Sequence, residues 1–272
     1  MSFAFRRQAE SLRAGAGVAL GEAALTLAQD LADGVDAERS RAELDRLGAR
    51  ASDRLSSARG DVERARALLR LLGEEGFRGN TAAYDDPRNS FLDQVLERRV
   101  GIPITLSIVA IEVAARAGFQ LSGVSFPAHF LVRSAGEPPV VLDPFHGRIL
   151  SLSECRDRLR AVAGPGAVLE PAMLRPATPA EVMVRMLGNL KHGFARSTDW
   201  IGAIDCCDRI LLVEPERRTE RRDRGLLWAR LGFTGPAIED LERYLTEVPE
   251  APDAERVAAQ LARLRTHSVT VH

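Results

Sequence analysis

Two residues carry the strongest case for chemistry in this chain: His129, within Ala128-His129-Phe130-Leu131-Val132, and Asp143, within Val141-Leu142-Asp143-Pro144. An imidazole titrates near neutral pH, and a carboxylate can hold it in one tautomer. Each also has a plain structural reading. His129 can be a hydrogen-bonded strand residue, and Asp143 can form a turn before its proline. His146 would complete a set of three metal-capable side chains, but that spacing is unspecific, so neither a metal nor a cofactor is expected. Thiols are scarce: the chain has 3 Cys. Cys155 opens a surface helix, and Cys206 and Cys207 lie between Ile204 and Ile210 as small packing residues of a helix. Asp86, Arg88 and Asn89 sit in a polar stretch that reads either as a capping and turn network or as the lining of a pocket. Arg217, Arg221 and Arg224 belong to a basic run broken by Glu216, Glu220 and Asp223. Such a run is a solvated face with i,i+4 pairs, or a groove for an acidic peptide.

The elements that must hold these residues are legible in outline. Apolar spacing of three and four predicts helices over 18–31 and 37–55, the second capped by Asp36. Asp61 is the expected cap of a third helix, ending at the glycines Gly73 and Gly76. Residues 76–90 are rich in Gly, Asn, Asp and Pro and read as an ordered loop. A short helix over 91–99 follows, with Asn89 or Ser90 as its cap. Pro103 then opens a helix over 104–117 that is apolar around most of its circumference and must be buried. After Gly118 the period changes to two. Val124, Phe126, Ala128, Phe130 and Val132 alternate as one strand bearing His129, and strands at 140–143 and 148–150 complete an antiparallel meander. Ser153 is the expected cap of a helix through Arg160. Residues 164–179, with four prolines, read as a linker. The last third holds two helix pairs offset by about 35 residues, each ending in Glu and then Pro, with a final helix alone; this resembles the tetratricopeptide repeat. The expected division is therefore an N-terminal helical segment (1–75), a core (76–163), a linker (164–179) and helical repeats (180–266), an α+β protein.

Composition narrows the partners. The chain has 272 residues, with Lys plus Arg 37, Asp plus Glu 38 and a formal net charge of -1. That balance makes no electrostatic case for nucleic acid. Only one of the basic residues, Lys191, is a lysine. Three cysteines exclude a disulfide framework and fit a reducing compartment. No apolar stretch is long enough for a targeting segment or a membrane span, so a cytoplasmic protein is expected.

A buried helix beginning after a glycine, then a strand with His, then a strand ending in Asp, resembles the core of the transglutaminase-like superfamily, related to papain-type enzymes. The resemblance implies a Cys–His–Asp triad, with the thiol at the helix start activated by the helix N-terminus and the imidazole. His129 and Asp143 match its His and Asp. The position of its Cys is Pro103, and the nearest hydroxyls are Thr105 and Ser107. A second resemblance accounts for this. Tyr84-Asp85-Asp86-Pro87-Arg88-Asn89-Ser90-Phe91-Leu92, Gly101-Ile102-Pro103-Ile104-Thr105-Leu106-Ser107, Phe126-Pro127-Ala128-His129, Asp143-Pro144-Phe145 and Arg222-Asp223-Arg224-Gly225 are similar to the SirB-type bacterial family. That family joins a transglutaminase-like core to tetratricopeptide-type repeats, and loss of the nucleophile looks like a feature of it.

The resemblance leaves the activity open; with the nucleophile absent, the expectation is a binding, adaptor or regulatory protein without catalysis, with protein or peptide partners and a pocket drawn from Asp86, Arg88, Asn89, Thr105 and Ser107. One alternative is a weak or altered hydrolase or acyltransferase using His129 and Asp143. Another is a scaffold in which the repeats alone recognise partners. A retained site predicts His129 Nδ1 within hydrogen-bond reach of Asp143.

Overall fold

A computed structural model describes residues 1–269, with side chains through residue 266. Contacts divide the chain into two bodies: Gly15–Met186, and Met1–Ala14 together with the chain from Leu187 onward. Helix α1 (Phe3–Arg13) therefore belongs with the repeats, not with the helices that follow it in sequence.

The first body opens with α2 (Leu20–Leu31), α3 (Ala37–Leu55) and α4 (Gly60–Glu74). Asp36 caps α3, its Oδ1 accepting from Arg39 N at 2.9 Å. Asp61 does not cap α4. The helix starts one residue earlier, at Gly60 with φ +77°, and Asp61 lies in its first turn, where a carboxylate favours the positive end of the helix. The polar loop contains a short strand, β1 (Arg78–Gly79), which runs parallel to β2 (Val100–Gly101). Between them lies α5 (Leu92–Arg98), whose N-cap is Phe91; neither Asn89 nor Ser90 caps it.

Helix α6 (Pro103–Arg116) is the buried centre, as its composition predicts. Ile104, Leu106, Ile108, Val109 and Val113 are all at most 2 % exposed, and each such side chain contributes roughly 1.5–3 kcal/mol on burial. Its polar residue Glu112 turns this burial to use: Oε1 accepts from Gly21 N at 2.7 Å and so caps α2, which has no side-chain cap of its own.

Four strands follow in sequence order as an antiparallel sheet: β3 (Leu121–Val124), β4 (Leu131–Ser134), β5 (Val141–Asp143) and β6 (Arg148–Leu150). The single strand expected over Val124–Val132 is instead a hairpin, with Val124 opposite Leu131. Two residues break it. Pro127 has no N–H to give a ladder, and Ala128 takes φ +53°, a left-handed conformation uncommon for a residue with a side chain. His129 thus sits on the connection, not in the strand.

Helix α7 (Leu152–Ala163) starts from a capping box of Ser151 and Glu154, two residues before the expected Ser153. The stretch 164–179, expected as a linker, packs on the sheet. Leu174 is buried with Val124, Phe126, Leu131, Val141, Leu150, Cys155 and Leu159, and Ala177 N donates to Gly123 O at 2.8 Å. The apolar Leu169, Met173 and Leu174 between its prolines explain why it does not run free.

The second body is a run of helices: the later part of α8 (Pro179–Arg196), then α9 (Trp200–Val213), α10 (Arg218–Arg230), α11 (Thr234–Glu247) and α12 (Ala254–Val269). Leu241, Tyr244, Val257 and Leu261 form its outer core. Helix α1 packs on α9, where Phe5 is fully buried and the Arg209 guanidinium lies 5.7 Å from its ring centroid. Its sequence signal is short: Ser2 caps it, and Phe5, Ala9 and Leu12 share its inner face. Lys191 is also buried here, donating to Glu220 Oε2 at 2.6 Å and Asp223 Oδ2 at 2.8 Å. Among the described residues no helix is long and apolar enough to cross a membrane.

Candidate functional site

His129 is placed by a residue far along the chain. Arg185, on the first-body part of α8, donates NH2 to His129 O at 2.7 Å and NH1 to Phe126 O at 3.2 Å. It also reaches Ser125 Oγ at 3.3 Å and stacks over Phe130. Burial pulls the guanidinium pKa down from its ordinary value. These bonds satisfy carbonyls that the broken strand leaves without ladder partners. Arg185→Ala should therefore cost about 2 kcal/mol in urea unfolding, since charge-assisted hydrogen bonds are the stronger class. Amides of residues 125–130 should exchange faster, while those of α6 keep their protection.

Asp143 ends β5 and is completely buried. Its Oδ1 lies 3.0 Å from His129 Nε2. The expected ring nitrogen was Nδ1, so the imidazole presents its other edge to the carboxylate. Among the described residues Nδ1 has no hydrogen-bond partner. Asp143 Oδ2 lies 2.7 Å from His146 Nδ1 and accepts from Arg158 NH2 at 2.9 Å. The His146 backbone N–H adds a bond to Oδ1 at 3.3 Å. Burial alone would raise this carboxyl. The hydrogen bonds and charge of His129 and His146 overcome it and hold the pKa down at about 2.

Phe145 walls this cluster. Its ring meets His146 edge-on at 4.9 Å, His129 at 6.0 Å and Tyr84 at 6.2 Å. Gly79 of β1 makes room for it: a Cβ there would lie 2.6 Å from the ring. The sequence marks His146 only as a metal-capable side chain and Phe145 only as part of the Asp143-Pro144-Phe145 motif, while Arg158 and Arg185 carry no signal, because their partners are distant in sequence.

The start of α6 is closed differently. Pro103 is buried at the first helical position. Thr105 Oγ1 donates to Asn89 O at 2.7 Å and accepts from Ile102 N at 3.2 Å. It rests on Gly101, where a Cβ would come within 2.8 Å of it. Ser107 is fully buried, and its Oγ has no partner among the described residues. Asn89 is fully buried too, donating to Ala83 O at 2.7 Å and Tyr84 O at 3.2 Å, which clips the loop together. Asp86 caps the turn at Pro87–Ser90 and holds Arg88, which is 63 % exposed. Thus Thr105 and Asn89 are bonded to each other's backbone or to the loop, and the structure brings together His129, Asp143 and His146.

The residues at 38–188 match the model of the transglutaminase-like superfamily, which spans more than half of the chain. The chain belongs to the transglutaminase-like superfamily. Residues 190–262 match the tetratricopeptide repeat. A UPF0162 protein of Vibrio cholerae is 36 % identical over 257 residues, covering 93 % of this chain and 95 % of its own. Another UPF0162 protein, of Xylella fastidiosa, is 42 % identical over 207 residues, 74 % of each chain. Protein SirB1 of Salmonella typhimurium is 29 % identical over 233 residues, 85 % of this chain and 87 % of its own. The SirB-type resemblance read from the motifs therefore holds, as does the α+β class with its repeats.

Within the transglutaminase-like body, a cavity of about 440 Å³ lies between α3 and α5, lined by residues including Arg39, Glu43, Asp93 and Arg99. It includes none of the predicted site residues. In the repeat body, Arg217 pairs with Glu214, Arg221 with Glu247, and Arg224 with Asp208 and Asp240. All three guanidiniums already hold carboxylates of their own body.

Proposed function

We propose that this member of the transglutaminase-like superfamily is a cytoplasmic binding or adaptor protein with protein or peptide partners, without thiol acyl transfer. One observation carries the reading: the start of α6 offers no nucleophile. Pro103 occupies the position that the resemblance gives to cysteine, Thr105 is committed to Asn89 O, and Ser107 is fully buried. The cysteines do not substitute. All three are buried, and burial pushes the Cys155 thiol up and Cys206 up to about 12. Tetratricopeptide-type repeats generally mediate protein–protein contact, and this supports the choice of partner. An acidic peptide on Arg217, Arg221 and Arg224 would have to displace Glu214, Glu247, Asp208 and Asp240.

The second reading, an altered hydrolase, draws on the His129–Asp143 bond and the ionised Asp143. Amine incorporation and ester hydrolysis by wild type and His129→Ala separate the two. We expect the same background from both, and a thiol reagent that titrates no cysteine until denaturant is added. Turnover present in wild type and lost in His129→Ala would replace this reading with the hydrolase. Partner capture by wild type but not by a His129→Ala, Arg88→Ala variant supports recognition at the His–Asp end. Capture retained by that variant assigns recognition to the repeats alone.

A further inference from the structure

We propose that His129, Asp143 and His146 form a binding site for a divalent transition-metal ion of the zinc class. One ligand atom from each residue lies within 4.8 Å of the other two. Bonds of about 2.0–2.2 Å to a shared ion place such atoms about 3–4 Å apart, so a modest contraction completes the set. The outer member, His146, is free to make it: its side chain is 44 % exposed, while His129 and Asp143 are 8 % and 0 % exposed.

The donor set fits the ion class. Two imidazoles and one carboxylate suit zinc and its transition-metal neighbours. They supply too few oxygens for calcium or magnesium, which favour carboxylates, carbonyls and water. Three protein ligands would leave coordination positions open for water or a small ligand on the exposed His146 side.

The surroundings support the ligands. Arg158 NH2 holds Asp143 Oδ2 at 2.9 Å and the His146 N–H reaches Oδ1 at 3.3 Å. The carboxylate is thereby oriented without help from either ring, as outer partners orient ligands in metal sites. The Arg158 charge offsets that of Asp143, so affinity must come from the imidazole nitrogens rather than from net charge, and these favour the zinc class. Phe145 stands edge-on to both rings and gives the cluster an apolar wall. His129 is fixed from behind by Arg185 through its carbonyl. The site does not depend on the absence of acyl transfer, nor on what the repeats bind.

The test is metal binding by the full chain after chelator stripping, read as zinc content and as the absorbance of the cobalt form. We expect one equivalent of zinc, no competition from excess magnesium, and a cobalt spectrum of nitrogen and oxygen ligands. His146→Ala, at a half-exposed position, should weaken zinc binding on the order of tenfold or more. A Cys206→Ser, Cys207→Ser variant should bind as wild type. Wild-type affinity in His146→Ala, no zinc retained by wild type, or an intense thiolate-to-cobalt band would each overturn the proposal. If His146→Ala proves unfolded by circular dichroism, the wild-type cobalt spectrum decides between imidazole and thiolate ligands.

Discussion

Asp143→Ala is expected to lower the stability of the first body by about 3 kcal/mol, the scale seen when one member of a buried charged pair is removed. The carboxylate gathers His129, His146, the His146 backbone and Arg158 at one fully buried point. Its loss leaves the Arg158 guanidinium, 20 % exposed, and two imidazoles with no acceptor between them. Asp143→Asn keeps the shape but removes the charge, and its amide must donate toward Arg158 or a ring nitrogen. It should therefore lose less than Asp143→Ala while remaining clearly below wild type. Urea unfolding followed by far-UV circular dichroism measures both. Equal midpoints for wild type and Asp143→Ala would mean that the cluster holds nothing together.

Lys191→Met should have a similar effect on the repeat body, again about 3 kcal/mol. Methionine fills the space of the aliphatic stem but takes the cation from Glu220, 7 % exposed, and leaves Asp223 with Arg222 alone. The pH dependence has a definite sign. Burial would raise the Asp223 carboxyl, but Lys191 and Arg222 overcome it and hold its pKa below the ordinary 3.8. In wild type this pairing contributes fully above 3.8 and is lost as pH falls through the lower folded value. Without the lysine, protonation relieves the repulsion. The deficit of Lys191→Met should thus be largest near neutral pH and shrink below about pH 4. A deficit independent of pH would point to lost packing alone.

What the sequence made legible was local. Pro103 opens its helix because proline suits a first helical position, and the apolar circumference of α6 announced its burial. The meander after it was legible from its turns, though not the break within its first strand. Alternation continued through Val124–Val132 because Phe126 and Phe130 are both buried, one on each side of a turn made by Pro127 and a left-handed Ala128. Only the proline gave a signal, since alanine carries none for positive φ. The partners of His129 and Asp143 were hidden for another reason. Arg158 and Arg185 are ordinary surface-type residues in sequence, and they become part of the site only when α7 and α8 fold back beside the sheet. The resemblance implies the His–Asp pair, but the ring orientation is set by the turn at Pro127 and Ala128, which turns Nε2 toward Asp143.

The lone, buried Lys191 gives the protein a built-in reporter. Acylating reagents and amine crosslinkers meet no accessible lysine on the folded chain, so its exposed positive surface is almost wholly guanidinium and keeps its charge into strongly alkaline solution. A protease that cleaves after lysine has one site, a few residues beyond the boundary between the two bodies at Met186. Cleavage there requires α8 to open, and the two fragments it releases would time the unfolding of the repeats without any label.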